Sequence, residues 1–304
     1  MDRTLYVLTG PTAVGKTALA LDWAEAHQAE IVSCDAFQGY RGMDIGTAKP
    51  TPAERARVPH FLVDHLALDE PWDVARFVAA AREVIHDIQS RDRRVLVTGG
   101  SGFYLKAFFG PVTDDVTVPS TIREEVRALE KREGLPGLLD ALHALNPSGI
   151  RGLDTQNPRR VARALERCRA SGRTLAALRE AFAARPGPFA GFSVQAVILE
   201  RPVDALNERI AARVDQMLAA GLVDEVSRLA GEGLRENPVA ARAIGYREVL
   251  ACLDGDLAWD DLRDTLVAHT RQYARRQRTW FRNQLPDIPR KRACAVAAAA
   301  GLFG

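Results

Sequence analysis

The chain has no CxxC pair: its four cysteines, Cys34, Cys168, Cys252 and Cys294, stand far apart. That spacing offers no local zinc site and no dense disulfide framework, so reduced thiols in a cytoplasmic protein are expected. No apolar run is long enough to cross a bilayer, and no membrane partner is expected. The opening "MDRTLYVLTG" has no leader-like apolar segment and runs directly into a strand pattern. Internal repeats are absent. Net charge is only +2, so bulk charge gives no pull toward nucleic acid. What remains is an ordinary composition, 47% hydrophobic and 26% charged over 304 residues, enough for a large core and one or two domains.

The order of patterns is more informative. "TLYVLTG" is a short apolar run ending in glycine, "KTALALDWAEAH" has helical spacing, and "EIVSCD" and "RRVLVTGGSG" are further strands. Strands alternating with helices predict an α/β fold: a P-loop core with a parallel sheet flanked by helices. Ligands of such sheets sit beyond the carboxyl ends of the strands, so the loops at Gly10, Asp35 and Gly99–Ser101 should converge. From Pro119 the texture changes. Ile122, Val126 and Leu129 fall at i, i+4, i+7 before Gly134, and three more helical segments follow with glycine or proline punctuation. "FSVQAVILE" (192–200) then returns to a strand. The pattern predicts an inserted all-helical domain over 118–190, with 1–117 and 191–304 forming the core. "VDALNERIAARVDQMLAAGLVDEV" and "DDLRDTLVAHTRQYARRQRTWFRNQL" read as long helices, and the Ala-rich tail after Ala293 as a loosely held terminus.

Residues Gly10, Pro11, Thr12, Ala13, Val14, Gly15, Lys16 and Thr17 fit G-x-x-x-x-G-K-[ST] between a strand and a helix. The glycines let backbone N–H groups surround phosphate oxygens, the helix N-terminus adds partial positive charge, and Lys16 adds a full one. The Thr17 hydroxyl can meet a Mg²⁺ that arrives with the phosphates. A hydrolysing P-loop enzyme has a strand ending in aspartate as magnesium partner. Here "VLVTGG" ends in Thr98 and glycines, which argues against a nucleotide-driven motor and leaves a small-molecule kinase open.

Six blocks, "GPTAVGKT", "DAFQGYRGMDIGTAKP", "GGSGFYLKAF", "RRVARALE", "AIGYREVL" and "TRQYARRQRTWFR", resemble in sequence and order the tRNA dimethylallyltransferases, from about Tyr6 to Asn283. The resemblance implies transfer of a dimethylallyl group from dimethylallyl diphosphate to N6 of the adenine immediately 3′ of the anticodon. The tRNAs concerned read codons that begin with U, and the glycine loop would hold the diphosphate leaving group. It implies general-base work for Asp35, with magnesium binding through water or a turn cap as the alternatives. Ser101, where the family has threonine, would bond the target base or the diphosphate, or cap the following helix. Arg213 would contact the diphosphate, unless it is simply a solvated helical arginine. The tRNA contacts implied are Asp35, Ala36, Phe37, Gln38, Ser101 and Arg123. Gln38 suits an adenine edge, and Phe37 is equally suited to stacking or to the core.

Two basic stretches extend that RNA footprint. Arg159, Arg163 and Arg167 fall at i, i+4, i+8 with Arg160 beside them; Arg271, Arg275, Arg278 and Arg282 form a stripe free of carboxylates. Tyr273 and Trp280, opposite that stripe, are expected in the core. The anticodon stem-loop, dimethylallyl diphosphate and Mg²⁺ are therefore the expected partners of a monomeric enzyme. Ala36, Gly39, Ser101 and "LDTQNPRRV" depart from the family pattern. Three rivals remain: a P-loop kinase of a small metabolite, an adenylate isopentenyltransferase, and an RNA-binding module with a vestigial loop.

Overall fold

The computed structural model describes residues 3–285, 287–293 and 301–303. Its strands are β1 (Thr4–Thr9), β2 (Ala29–Ser33), β3 (His60–Phe61), β4 (Arg94–Gly99), β5 (Ser193–Glu200) and β6 (Arg290–Arg292). They pair in parallel throughout, in the order β3-β2-β4-β1-β5-β6. Helices α1 (Lys16–Ala26), α2 (Pro52–Arg57), α3 (Val74–Ser90), α4 (Gly102–Leu105), α8 (Val203–Ala219), α9 (Leu222–Gly231), α10 (Tyr246–Asp254) and α11 (Leu262–Gln284) flank or extend the sheet. Between α4 and α8 come α5 (Ser120–Ala144), α6 (Pro158–Ser171) and α7 (Leu175–Ala183).

The central strands are apolar on both faces because both are covered, as parallel sheets require. Leu5 and Val7 enter one core cluster and Leu8 the other; Val95 and Val97 oppose Leu96 in the same way. Register then sets the site. Thr9 pairs with Gly99, and Ser33 pairs with Thr98. The carboxyl ends of β1, β2 and β4 are therefore level, and the three loops leave the sheet together.

The chain divides into two compact units, one holding the sheet (up to Val112 and from Pro188) and one spanning Thr113–Gly187. In the second, α5 kinks at Gly134, whose φ of 64° is a left-handed value suited to glycine. Val126, Leu138, Leu142, Val161, Leu165 and Leu178 form its core. The buried Asn146 ties the unit together, donating to the Leu142 carbonyl at 2.7 Å and accepting from the Leu175 N–H at 2.7 Å.

Two sequence expectations are corrected, and two short strands go beyond them. The stretch 203–226 is not one helix: Gly221, at φ 94°, breaks it into α8 and α9. The edge strands β3 and β6, two and three residues long, carry no apolar alternation by which they could be read. The tail is docked where it is described: Leu302 is buried, and Phe303 meets Tyr6 and Trp23 edge-on. Residues 294–300, including Cys294, lie outside the described residues. Cys34, Cys168 and Cys252 are buried free thiols. Among the described residues no helix is long and apolar enough to cross a membrane.

Candidate active site

The loop between β1 and α1 turns through left-handed backbone at Gly10 (φ 152°), Ala13 (φ 60°) and Gly15 (φ 108°). At Gly10 a Cβ would also stand 2.6 Å from the Leu199 carbonyl oxygen, so β5 demands glycine there. Lys16 folds over the loop and donates to the carbonyls of Gly10 (2.9 Å) and Pro11 (3.0 Å). Three arginines from the end of β5 and from α8 surround it. Arg201 donates to the Val14 carbonyl at 3.3 Å, Arg209 to the Ala13 carbonyl at 2.8 Å, and Arg213 to the Thr12 hydroxyl at 3.2 Å. Thr17 is exposed on the first turn of α1, its hydroxyl a hard oxygen donor of the kind Mg²⁺ takes. Among the described residues no cluster of three His, Cys, Asp or Glu side chains could cage a metal.

Asp35 follows β2 on the same rim. Its carboxylate accepts the Phe37 N–H at 2.9 Å. Burial raises its proton affinity, against the opposing pull of that N–H, of Lys16 and of Arg213. Lys16 responds in the opposite sense: burial, then Arg213, lower its pKa to about 8, with Asp35 opposing. Burial likewise lowers Arg213, again against Asp35. One carboxylate and two cations thus share one poorly solvated space.

Ser101 begins α4, yet its side chain makes no cap bond. Its hydroxyl accepts the Ala36 N–H at 3.0 Å, tying the Asp35 loop to the β4 loop. Close approach is built in beside it, since a Cβ on Gly99 would lie 2.0 Å from the Cys34 carbonyl oxygen. Ala36 and Phe37 are half-buried against the larger core. The Gln38 amide accepts from the Ser33 hydroxyl at 2.8 Å and faces the Thr47 and Ala48 carbonyls at 3.4 Å.

Two further blocks hold this loop in place. The buried Glu225 of α9 accepts the N–H groups of Asp44 (3.0 Å), Ile45 (2.8 Å) and Gly46 (3.3 Å) together with the Tyr246 hydroxyl (2.6 Å). Lys49, also buried, pairs with Asp44 and Asp64 and donates to the Tyr40 carbonyl. "DIGTAKP" and "AIGYREVL" are therefore scaffolding for the rim.

Helix α11 presents two different faces. Inward, Gln277 accepts the Thr12 N–H at 2.9 Å and donates to the Gly100 carbonyl at 2.9 Å. A Cβ on Gly102 would lie 2.6 Å from the Trp280 ring, which rests on the core. Tyr273 is not a core residue as the sequence had suggested. It is half-buried and close enough to Asp35 that the carboxylate, after burial, raises its phenol and keeps it protonated. Outward, Arg271, Arg275, Arg278 and Arg282 are all exposed, and none is in an ion pair among the described residues. In the second unit the picture is mixed. Arg160 pairs with Asp154 (3.5 Å), Arg163 with Glu166 (3.2 Å) and Arg167 with Asp114, whereas Arg123 and Arg159 are exposed and in no ion pair among the described residues.

The sequence reading did not include Arg201, Arg209, Glu225 or Gln277. Arg201 directly follows a parallel strand and Arg209 precedes Arg213 by one helical turn, signals that could have found both. Glu225 had no signal, because its partners lie far away in the chain; Gln277 stands inside the quoted block "TRQYARRQRTWFR", but nothing local pointed to its partners Thr12 and Gly100.

Fold and site define a class: an α/β transferase whose parallel sheet brings a cation-lined glycine loop and a poorly solvated carboxylate to the same strand ends. Residues 38–284 match the family model described as IPP transferase. The chain is 58% identical over 299 residues to the tRNA dimethylallyltransferase of Opitutus terrae, covering 98% of this chain and 96% of that protein. It is 41% identical over 288 residues to that of Deinococcus radiodurans, covering 92% and 90%. The solved tRNA isopentenylpyrophosphate transferase of Bacillus halodurans superposes with a TM-score of 0.67 at 34% identity, over 96% of this chain and 90% of that one. A solved eukaryotic dimethylallyltransferase acting on tRNA has a TM-score of 0.85 at 24% identity, over 99% and 76%, and speaks for the fold alone. The chain belongs to the IPP transferase family, the tRNA dimethylallyltransferases.

Proposed function

We propose that this protein transfers a dimethylallyl group from dimethylallyl diphosphate to N6 of the adenine 3′ of the anticodon, in tRNAs reading codons that begin with U. The allylic C–O bond breaks and its electron pair leaves with the diphosphate; the N6–C bond forms, and the N6 proton passes to Asp35. Lys16, Arg201, Arg209, Arg213 and the loop N–H groups stabilise the charge that develops on the diphosphate. Thr17 would hold a Mg²⁺ arriving with the diphosphate, and that ion would supply further charge neutralisation there. An exocyclic amine is a weak nucleophile, so a carboxylate of raised proton affinity is the appropriate acceptor. Ser101 holds the Asp35 loop against the β4 loop.

The observation that carries this reading is the placement of Asp35 and the cation-lined loop on one rim, with an exposed arginine stripe, in no ion pair among the described residues, on the same compact unit. A metabolite kinase would use the loop and the carboxylate, but it has no work for Arg271, Arg275, Arg278 and Arg282. The target base must leave its stack to be modified, at least cost in a single-stranded loop. Arg123, Arg159, Arg160 and Arg163 of the helical insertion add phosphate contacts on the stem. We assign Asp35, Ala36, Phe37, Gln38 and Ser101 to the neighbourhood of the base, and the protein acts as a cytoplasmic monomer.

The test is incubation with dimethylallyl diphosphate, Mg²⁺ and unmodified tRNA, followed by mass analysis of digested nucleosides. An adenosine heavier by one five-carbon unit, absent when ATP replaces the allylic donor, is expected. ATP consumption with a small alcohol and no modified nucleoside would make it a kinase.

A further inference from the structure

We propose that Gln277 is a positioning residue for the transfer reaction, fixing the spacing between the loop that holds the diphosphate and the loop that carries Ser101. The inference rests on the function proposed above. Its ground is geometric. The last ladder pair joining β1 to β4 is Thr9 with Gly99, and beyond it the two backbones leave the sheet. There the Gln277 amide supplies the next rung: its oxygen takes the Thr12 N–H and its nitrogen gives a hydrogen to the Gly100 carbonyl, each at 2.9 Å. The side chain is only 6% exposed, and both ends of its amide are satisfied by backbone.

Gly100 gives an independent sign of the same contact. Its backbone is not left-handed, so conformation does not require glycine. A Cβ there would lie 2.5 Å from the Gln277 nitrogen, with nothing else nearer than 3.5 Å. A side chain at 100 would therefore have to displace the amide of Gln277. One hydrogen-bonded chain therefore runs from base to leaving group. Ala36, next to Asp35, bonds Ser101; Gly100, next to Ser101, bonds Gln277; Gln277 bonds Thr12, whose hydroxyl is held by Arg213. Transfer needs N6 and the allylic carbon held near attack distance, and a misplacement of about 1 Å can cost about 10²-fold in rate.

Two variant sets test this, with the wild type's turnover of dimethylallyl diphosphate and tRNA as control. Gln277→Met keeps the volume and loses both bonds. It is expected to melt within a few degrees of wild type and to bind tRNA within about twofold, while kcat falls roughly 10–100-fold. In the second set, Gly100→Ala alone should slow kcat comparably. Added to Gln277→Ala, which vacates the space, it should change kcat by less than about twofold, because coupled neighbours are not additive. A Gln277→Met enzyme with kcat within twofold of wild type would overturn the proposal, as would additive effects in the cycle. So would an unfolded variant, or one losing kcat, tRNA affinity and melting temperature together, since the amide would then be purely structural. If the wild type itself makes no modified adenosine, the function reading fails rather than this one.

Discussion

Affinity for the allylic diphosphate should depend on pH through Lys16. In the free protein burial and Arg213 bring its ammonium from 10.5 down to about 8, with Asp35 restraining the fall. That difference corresponds to roughly 3 kcal/mol between the two protonation states. An allylic diphosphate ester is fully ionised above neutrality, and its charge beside Lys16 raises the ammonium's pKa again in the complex. The sign follows: affinity is full below pH about 8, where Lys16 is already charged, and is lost as pH rises through that value. The loss should approach tenfold per pH unit, and binding at pH 9 should take up close to one proton. Calorimetric titration with an unreactive thio-bridged analogue of the diphosphate, from pH 7 to 10 in two buffers of different ionisation enthalpy, measures both. A dissociation constant flat to pH 10 without proton uptake would refute the reasoning. Lys16→Arg should flatten the profile, because a guanidinium stays charged throughout that range.

Three more outcomes are expected. Asp35→Asn should lower kcat by about 10²–10⁴-fold, the usual worth of a general base, while tRNA affinity changes little; wild-type kcat should likewise fall as pH drops through the raised pKa of Asp35. Arg275→Ala should reduce the slope of log affinity for tRNA against log salt by about 0.7–0.9, one phosphate contact, in filter binding at several salt concentrations. Glu225→Gln leaves one oxygen for four donors and turns an NH₂ group toward the Asp44–Gly46 backbone; it should cost about 1–3 kcal/mol by denaturant midpoint with an unchanged slope.

The parts of the molecule that could be read from sequence are those fixed by neighbours along the chain. The run "TLYVLTG" followed by Gly15-Lys16-Thr17 is strand, turn and helix start within fourteen residues, and the structure forms them where the spacing put them. The parallel sheet followed from such units. The place of Asp35 on the rim was legible because it follows a strand directly along the chain. Gln38 suited an adenine edge, but its amide's contacts with Ser33, Thr47 and Ala48 depend on how residues 40–50 fold back. Tyr273 and Trp280 share one helical face by spacing, yet spacing does not distinguish a core from a cleft. Tertiary closure does, and it turns Tyr273 toward Asp35. The scaffolding by Glu225 and Lys49 was invisible for the same reason.

Gln277 reaches a loop 265 positions earlier in the chain. A ribosome adding about 5–20 residues per second needs roughly 10–50 s to travel that distance. For all of that interval the nascent chain displays a glycine loop and its lysine without the side chain that registers the two rims. A fragment released before α11 is made lacks the arginine stripe and the amide at once. On the function proposed above, synthesis of this one late helix would act as a completeness check, because a truncated product would lack the proposed contacts with RNA and the amide bridging Thr12 and Gly100.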